Sequence, residues 1–165
     1  MSVPGLRIRD AERQDLGAVM ALERNTTEAS HWTEMEYTAI VNADREADAL
    51  VRRCLLIAER KNRLIGFAVG KIVGSDEESM AELESVVVEE AMRRVGVGRA
   101  LCTAVVAWSR QQGASALELE VRAGSTGAIA LYTGLGFVVV GRRRTYYREP
   151  IEDAVLMQME LEKSD

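Results

Sequence analysis

One segment constrains the fold more than any other, because it dictates a strand, a basic loop and a helix in that order. Residues 88–99 read Val-Glu-Glu-Ala-Met-Arg-Arg-Val-Gly-Val-Gly-Arg. Glycines let a backbone curl closely, so that successive N–H groups converge on one point, and a helix N-terminus adds positive charge there. The segment therefore predicts a cradle for an anion, and a diphosphate is the expected guest. The alternative is a glycine-rich helix entry surrounded by solvated arginines.

Two common phosphate-binding patterns do not match this segment. A P-loop requires a lysine after its second glycine, whereas Arg99 follows Gly98. A dinucleotide-binding fingerprint requires a third glycine, and Leu101 occupies its place. The pattern that remains is Arg-x-x-Gly-x-Gly at residues 93–98.

Composition bounds the class of protein. The chain has 165 residues, of which 47% are hydrophobic and 28% are charged, so a single domain over residues 1–165 with a sizeable core is expected. The formal net charge of −5 argues against direct nucleic-acid binding. No apolar run is long enough to span a membrane, and residues 1–10 lack the apolar core of a signal peptide, so we expect a cytoplasmic protein without membrane contact. Acidic clusters at residues 44–48 and 76–78 are either solvated surface or an attraction for a cationic substrate.

The cysteine and histidine content gives little support to metal binding or to nucleophilic catalysis. Cys54 and Cys102 each lie in an apolar run, so both are expected to be buried, reduced thiols. The single histidine, His31, leaves no plausible zinc constellation and offers only one base for a nucleophile. We therefore expect no metal.

Hydrophobic periodicity predicts secondary structure along the whole chain. The predicted strands are residues 6–9, 54–59, 64–73, 81–88, 116–122, 137–141 and 154–161. The predicted helices are residues 11–24, 34–52, 98–113 and 126–135. A capping-box pattern at residues 33–36 starts the second helix, and Gly113 ends the third. This order of elements predicts a mixed α/β sandwich in which helices cover both faces of one sheet.

Motifs in the second half of the chain resemble those of a known enzyme family. They are Leu-Glu-Val-Arg at residues 119–122, Ala-Ile-Ala-Leu-Tyr-Thr-Gly-Leu-Gly-Phe at 128–137, Arg-Arg-Thr-Tyr-Tyr at 143–147 and Glu-Asp-Ala-Val-Leu-Met at 152–157. A His-Trp-Thr-Glu stretch at residues 31–34 precedes them. In order and spacing, the chain resembles the RimI-like, ribosomal-protein-alanine branch of the GNAT N-acetyltransferases over most of residues 32–161. The resemblance implies the GNAT fold, a central mixed and mostly antiparallel sheet of roughly six to seven strands with helices on both faces.

The resemblance also implies acetyl-CoA as co-substrate and assigns residues that hold it. The strand ending in Val86, Val87 and Val88 would pair with the pantetheine arm, and a backbone N–H there would stabilise the tetrahedral oxyanion. The diphosphate loop corresponds to Arg93, Arg94, Val95, Gly96, Val97, Gly98 and Arg99. Ser125 stands where the family usually has an asparagine that contacts the cofactor arm. Alternatively, Ser125 or Thr126 is simply the N-cap of the next helix.

Two further residues match the general base and the general acid of the family, Glu120 and Tyr132. The reaction needs both groups, because an attacking ammonium must lose a proton and the departing thiolate of coenzyme A must gain one. Strand alternation supports the assignment by placing Glu120 on the face opposite the apolar residues of its strand. Without the resemblance, Glu120 is typical of a surface charge and Tyr132 of an amphipathic core stripe.

The acceptor site is expected at Trp32, Glu34, Tyr146 and Tyr147. Three arginines at residues 142–144 either contact phosphates or substrate or are solvated. The leading hypothesis is direct acetyl transfer to a protein N-terminus, such as the N-terminal alanine of a small-subunit ribosomal protein, by a monomer or homodimer. One alternative is acetylation of a small amine, an antibiotic or a polyamine. The other is a non-catalytic, regulatory acyl-CoA-binding module.

Overall fold

The computed structural model describes residues 3–26, 32–42, 50–74, 79–148 and 151–161, and this part of the chain forms seven strands and four α-helices. The strands are β1 (Arg7–Asp10), β2 (Val51–Arg60), β3 (Arg63–Val73), β4 (Met80–Val88), β5 (Ala116–Arg122), β6 (Val138–Arg148) and β7 (Ile151–Glu160). The helices are α1 (Leu16–Arg24), α2 (Glu34–Asn42), α3 (Val97–Gln111) and α4 (Thr126–Leu135), with 3-10 turns at Arg13–Asp15 and Glu90–Met92. His31 and the acidic clusters at residues 44–48 and 76–78 lie outside the described residues.

The strands form one seven-stranded sheet in the order β1-β2-β3-β4-β5-β7-β6. Neighbouring strands run antiparallel except β4 and β5, which are parallel and are connected through α3. The predicted mixed, mostly antiparallel sheet is therefore confirmed. None of the helices in the described ranges is both long enough and apolar enough to cross a membrane.

Two hydrophobic clusters cover the two faces of the sheet, which confirms the predicted layers. On one face, α3 and α4 pack over the strands around Leu101, Leu117 and Phe137. On the other face, α1 and α2 pack over β2, β3 and the end of β4 around Tyr37 and Phe67. Because α1 and α2 cover only that half, β5, β6 and β7 keep an open face beside them.

Several element boundaries differ from the sequence predictions. Helix α1 begins at Leu16 instead of residue 11, and β7 begins at Ile151 instead of residue 154. The helix predicted over residues 34–52 does not extend to residue 52: α2 is described as far as Asn42, and Val51 belongs to β2, where it pairs with Val73 of β3. The strand predicted over residues 137–141 continues to Arg148, which pairs with Ile151 of β7. At Val51 and over the second half of β6, cross-strand pairing overrides local sequence preference. β6 lies at the edge of the sheet, where basic side chains are tolerated.

The glycines predicted to end the helices do so through their backbone. Gly113 follows the last residues of α3 with φ +84°, and Gly136 caps α4 with φ +109°. These left-handed conformations favour glycine because a Cβ would be strained there. A hairpin joins β2 and β3 and turns at Lys61 and Asn62, both with positive φ.

One arginine ties β1 to the start of α1 and to β2. The guanidinium of Arg9 donates to both carboxylate oxygens of Asp15, at 2.8 and 2.9 Å, and to Glu59 at 3.2 Å. Asp15 also accepts from the backbone N–H of Glu12 at 2.7 Å. The contact with Arg9 is the main reason that the pKa of Asp15 lies below its ordinary value of 3.8.

We expect Asp15→Asn to lower the free energy of unfolding by about 1 kcal/mol at neutral pH. Because the native pKa of Asp15 is lowered, its charge stabilises the fold above about pH 4, and this stabilisation is lost as the pH falls through the native value. Urea unfolding of both chains at about pH 7 and about pH 2.5 measures this. The difference in unfolding free energy between the wild-type chain and Asp15→Asn should be smaller at the lower pH. An equal difference at the two pH values would mean that the substitution destabilises the turn at Glu12 and does not act through the charge.

Candidate functional site

β4 and β5 pair over a short stretch and then separate. Their described register runs only from Met80–Ala116 to Glu82–Glu118. A β-bulge accompanies the separation, because Ser85 and Leu83 pair with consecutive residues of β3 and leave Glu84 without a cross-strand partner. A bulge bends the strand that contains it. As a result, the carboxyl ends of β4 and β5 stand on the two sides of an open cleft.

The cleft has a volume of about 790 Å³ and gathers most of the predicted site. Its walls include Val86, Val87, Val88, Arg93, Arg94, Gly96, Gly98, Arg99, Glu120, Ser125 and Tyr132. Two valines of the predicted loop, Val95 and Val97, do not line the cleft. Val97 is buried in the core beneath α3, and Val95 is 46% exposed.

The inner edge of β4 offers backbone groups to the cleft. In an antiparallel ladder, only alternate residues bond to a given neighbour. The N–H of Glu89 donates to the carbonyl of Ile65 at 2.8 Å, which places Val87 among the residues that bond to β3. Val86 and Val88 therefore direct their N–H and C=O groups away from β3, towards the gap that β5 has left. An extended chain of amides is the natural complement of such an edge.

The loop before α3 presents a concave backbone at the helix N-terminus. Arg94 and Gly96 have positive φ values of 65° and 101°, and Gly96 is the N-cap residue of α3. The first helical bond runs from the N–H of Ala100 to the carbonyl of Gly96, at 3.0 Å. The N–H groups before Ala100 in the first turn have no acceptor within the helix and face outward. This arrangement has the backbone geometry that the sequence predicted for an anion cradle.

Charge is divided along the cleft. Next to the α3 N-terminus lie the guanidinium groups of Arg93, Arg94 and Arg99. Near β5 and the bulge lie the carboxylates of Glu84, Glu120 and Glu152. The basic end therefore suits a phosphate. At the other end each carboxylate lies beside an arginine: Glu84 beside Arg53, Glu120 beside Arg143 and Glu152 beside Arg122. Within the described ranges, no group of three or more His, Cys, Asp or Glu side chains is arranged to hold a metal ion.

Glu120 lies on the open face of β5. The alternation is as predicted, since Leu119 and Val121 are buried and Glu120 points to the opposite side. Its side chain is 26% exposed, and its Oε1 lies 3.4 Å from Nη2 of Arg143 on β6. A carboxylate in this position borders both the cleft and the open face of the sheet.

The arginine run at residues 142–144 forms part of β6 and pairs with carboxylates. Arg142 donates to Asp153 at 2.7 Å, and Arg143 contacts Glu120. The sequence left two alternatives for this run, contact with phosphates or substrate and solvation; both side chains are more than half exposed, at 59% and 55%. Their partners are acidic residues on neighbouring strands.

Tyr132 lines the cleft from α4. Its ring packs edge-on against Phe137, with 5.8 Å between centroids. Burial raises the pKa of Tyr132 well above the ordinary tyrosine value of 10. The phenol is therefore protonated at neutral pH and is able to donate a proton or a hydrogen bond inside the cleft.

The two predicted acceptor tyrosines lie together on β6. The Tyr147 ring lies 4.1 Å below the guanidinium of Arg122, and burial raises the pKa of Tyr147. Tyr146 packs against Tyr147 at 5.1 Å between centroids and is half exposed beneath Arg143. β6 thus brings both rings to the Glu120 end of the cleft.

Trp32 and Glu34 lie at the start of α2, apart from these tyrosines. Trp32 packs against Tyr37 at 5.6 Å and below the guanidinium of Arg53 at 5.8 Å. Arg53 in turn donates to Glu84 at 2.9 Å, so Trp32 is linked to the cleft through one arginine. Glu34 is exposed in the first turn of α2.

Sequence reasoning missed three charged residues of the site: Glu84, Arg122 and Glu152. Arg122 and Glu152 stand inside the motifs that carried the resemblance, which was the available sign of their importance. Glu84 had no comparable sign, because only the bulge turns it into the cleft.

Comparisons with known proteins agree with this geometry. The model of the acetyltransferase (GNAT) family matches residues 18–137. The [ribosomal protein bS18]-alanine N-acetyltransferase of Escherichia coli K12 is 31% identical over 154 residues, covering 92% of this chain and 95% of that protein. N-alpha-acetyltransferase RimI of Mycobacterium tuberculosis is 34% identical over 95 residues, 58% of each chain.

Solved structures show the same fold. The crystal structure of the ribosomal-protein-S18-alanine N-acetyltransferase from Escherichia coli matches with a TM-score of 0.78 and 26% identity, covering 97% of this chain and 96% of that one. Arabidopsis thaliana NAA60 in complex with acetyl-CoA matches in fold, with a TM-score of 0.79 and 21% identity over 94% of this chain and 99% of that one. The family match places the chain in an acyl-transferring class of enzyme. The chain belongs to the GNAT acetyltransferase family.

Proposed function

We propose that this protein transfers the acetyl group of acetyl-CoA to the N-terminal α-amine of a protein, such as the N-terminal alanine of a small-subunit ribosomal protein. The observation that carries the proposal is the cleft between β4 and β5, with a basic helix terminus at one end and Glu120 at the other. The identity of the acceptor is supported by the Escherichia coli relative, whose name specifies the alanine of ribosomal protein bS18.

The donor binds along β4 and across the loop. Amides of the pantetheine arm pair with the backbone edge at Val86 and Val88, as an added strand would; the carbonyl of Val88 also accepts from Nε of Arg93 at 3.1 Å. The diphosphate rests on the loop through backbone N–H groups, so Val95 and Val97 contribute main chain only. Ser125 occupies the N-cap position of α4, yet its hydroxyl makes no capping bond, which leaves it for the arm.

Transfer is direct, with both substrates bound together. A β4 N–H stabilises the oxyanion as the amine nitrogen attacks the thioester carbon. Glu120, directly or through a water, takes one proton from the ammonium before attack. As the C–S bond breaks, Tyr132 gives its proton to the sulfur of coenzyme A, and the second proton that the nitrogen must lose passes to the Tyr132 oxygen. Neither cysteine suits a covalent route, because burial raises the pKa of Cys54 and of Cys102 to about 12.

The acceptor enters from the open face of β5, β6 and β7. Tyr146 and Tyr147 line one side of its path, and Trp32 and Glu34 belong to the opposite wall. An α-amine has an ordinary pKa of about 7.7–8.0, against about 10.4 for lysine, so a single carboxylate is a sufficient base for a protein N-terminus.

A panel of amines tests the proposed function. Release of free coenzyme A thiol should be fastest with peptides that begin with alanine, and slower with N-acetylated peptides carrying a lysine. Release only with polyamines or aminoglycosides would instead establish a small-amine acetyltransferase. Tight acetyl-CoA binding without release for any amine would establish a binding module.

We expect Gly96→Val to weaken acetyl-CoA binding by about tenfold or more. At φ +101° a β-branched residue is strained, so the loop must change shape and its N–H groups lose their common focus. Calorimetric titration with acetyl-CoA measures the change. Gly113→Val is the matched control, because its φ of +84° imposes similar strain far from the cleft. Equal affinity for the Gly96 variant and the wild-type chain would contradict the diphosphate assignment.

Glu120→Gln should lower the rate of peptide acetylation mainly near and below neutral pH. Above about pH 8 much of the α-amine is already neutral and needs no base, so the deficit should narrow there. Tyr132→Phe, measured alongside, should cost about 10²-fold at every pH in this range, because loss of the thiolate proton donor does not depend on the state of the amine.

Both variants should bind acetyl-CoA with nearly unchanged affinity, which separates chemistry from binding. The measurement is a pH–rate profile of kcat/KM for each chain between about pH 6 and pH 9. A Glu120→Gln profile that coincides with that of the wild-type chain would remove Glu120 from the mechanism.

A further inference from the structure

The carboxylate of Glu152, at the start of β7, contacts both the turn between β5 and α4 and the end of β5. Oε2 of Glu152 accepts a hydrogen bond from the backbone N–H of Gly124, in the turn between β5 and α4. Its Oε1 lies 3.7 Å from Nη1 of Arg122, at the end of β5. The Glu152 side chain is only 22% exposed and lines the cleft wall. We call residues 123–125 the β5–α4 turn.

The carboxylate of Glu152 lies so close to Gly124 that there is no room for a side chain at residue 124. A Cβ added to Gly124 would lie 2.6 Å from Oε2 of Glu152, closer than real contacts allow. The turn is further held by the N–H of Ala123, which donates to the carbonyl of Asp153 at 3.0 Å. The side chain of Glu152 therefore takes the space where any other residue at 124 would place its own.

The β5–α4 turn sets the wall where the donor binds. It ends at Ser125, which lines the cleft, and leads directly into α4, which carries Tyr132. A displacement of the turn would move the N-terminus of α4. Reacting groups lose effectiveness steeply when misplaced, by about 10²-fold for a shift of about 1 Å.

The second contact of Glu152 reaches the acceptor wall. Arg122 lies 4.1 Å above the ring of Tyr147, and Tyr147 is the cross-strand partner of Glu152 on β6. A guanidinium held between a carboxylate and an aromatic face has its position fixed from two sides. Glu152 thereby stabilises the stack that places Tyr147 beside the cleft.

We propose that Glu152 is a positioning residue that holds the donor wall and the acceptor wall of the cleft at a fixed spacing. It does so through two separable bonds, one to Gly124 and one to Arg122. The inference rests on the proposed acetyl transfer for its effect on rate, but the bond to Gly124 has a readout of its own. Glu152 itself exchanges no proton with either substrate.

Two substitutions separate the two bonds. Glu152→Ala removes both, so the KM values for acetyl-CoA and for the peptide should each rise several-fold and kcat should fall about tenfold. Glu152→Gln keeps an amide oxygen for the Gly124 N–H but loses the charge that holds Arg122. Its KM for acetyl-CoA should return to near the wild-type value, whereas its KM for the peptide should stay raised.

The control is the neighbouring carboxylate on the other face of β7. Asp153 also accepts from a backbone N–H, that of Thr145, and from an arginine, Arg142. Asp153→Asn should leave both KM values within about twofold of the wild-type values. A general weakening of β7 would affect both positions alike, so equal losses in the Asp153 and Glu152 variants would overturn the proposal.

Substitution of Gly124 tests whether its contribution to acetyl-CoA binding depends on Glu152. Gly124→Ala in the wild-type chain should weaken acetyl-CoA binding about tenfold, because the added Cβ displaces the carboxylate. In the Glu152→Ala chain the same change should have little further effect, since the carboxylate is absent. Equal penalties in the two backgrounds would show that Glu152 does not act through Gly124.

Hydrogen exchange at the Gly124 amide gives a readout independent of catalysis. Exchange should quicken in Glu152→Ala and remain slow in Glu152→Gln; unchanged exchange in Glu152→Ala would contradict the bond. If the wild-type chain acetylated no amine, the proposed function would fail, while this exchange would still decide whether Glu152 holds the turn.

Discussion

The early end of pairing between β4 and β5 is the constraint on which the site depends. A parallel pair that continued to the ends of both strands would satisfy the backbone groups of Val86 and Val88 and leave no cleft. The bulge at Glu84 ends that possibility by bending β4 away. What would be an unsatisfied edge in an ordinary sheet becomes a binding surface, because a ligand with amides can complete it.

The separation of β4 and β5 also determines where charged groups lie in the cleft. At the end of β4 the chain must turn into α3, which brings an outward-facing helix N-terminus and three arginines to one end of the cleft. β5 instead keeps its polar face uncovered, because α1 and α2 pack over the other half of the sheet. A polyanionic ligand is thus drawn to the arginine end of the cleft, and Glu120 lies at the other end.

Sequence patterns predicted most of the fold because most elements are encoded locally. Alternation around Leu119 and Glu120 and the glycines that end α3 and α4 require no distant partner to be recognised. The largest errors in the predicted boundaries lie where pairing with a strand distant in sequence determines the secondary structure. The polar half of β6 is extended only because it lies against β7, and the end of the predicted second helix became strand only because β3 was available to pair with it.

By itself, the sequence predicted the basic glycine loop and the faces of β5, since each depends on neighbours within a few positions. It indicated Glu120 and Tyr132 only through the resemblance to a family. Only the tertiary structure decided which distant groups contact one another: the side chains of Arg143 and Glu120, the Arg122 guanidinium and the Tyr147 ring, and the Glu152 carboxylate and the Gly124 N–H. These contacts join residues from separate strands and turns. Their formation depends on the register of β5, β6 and β7, and a shift of one residue would turn each side chain to the opposite face.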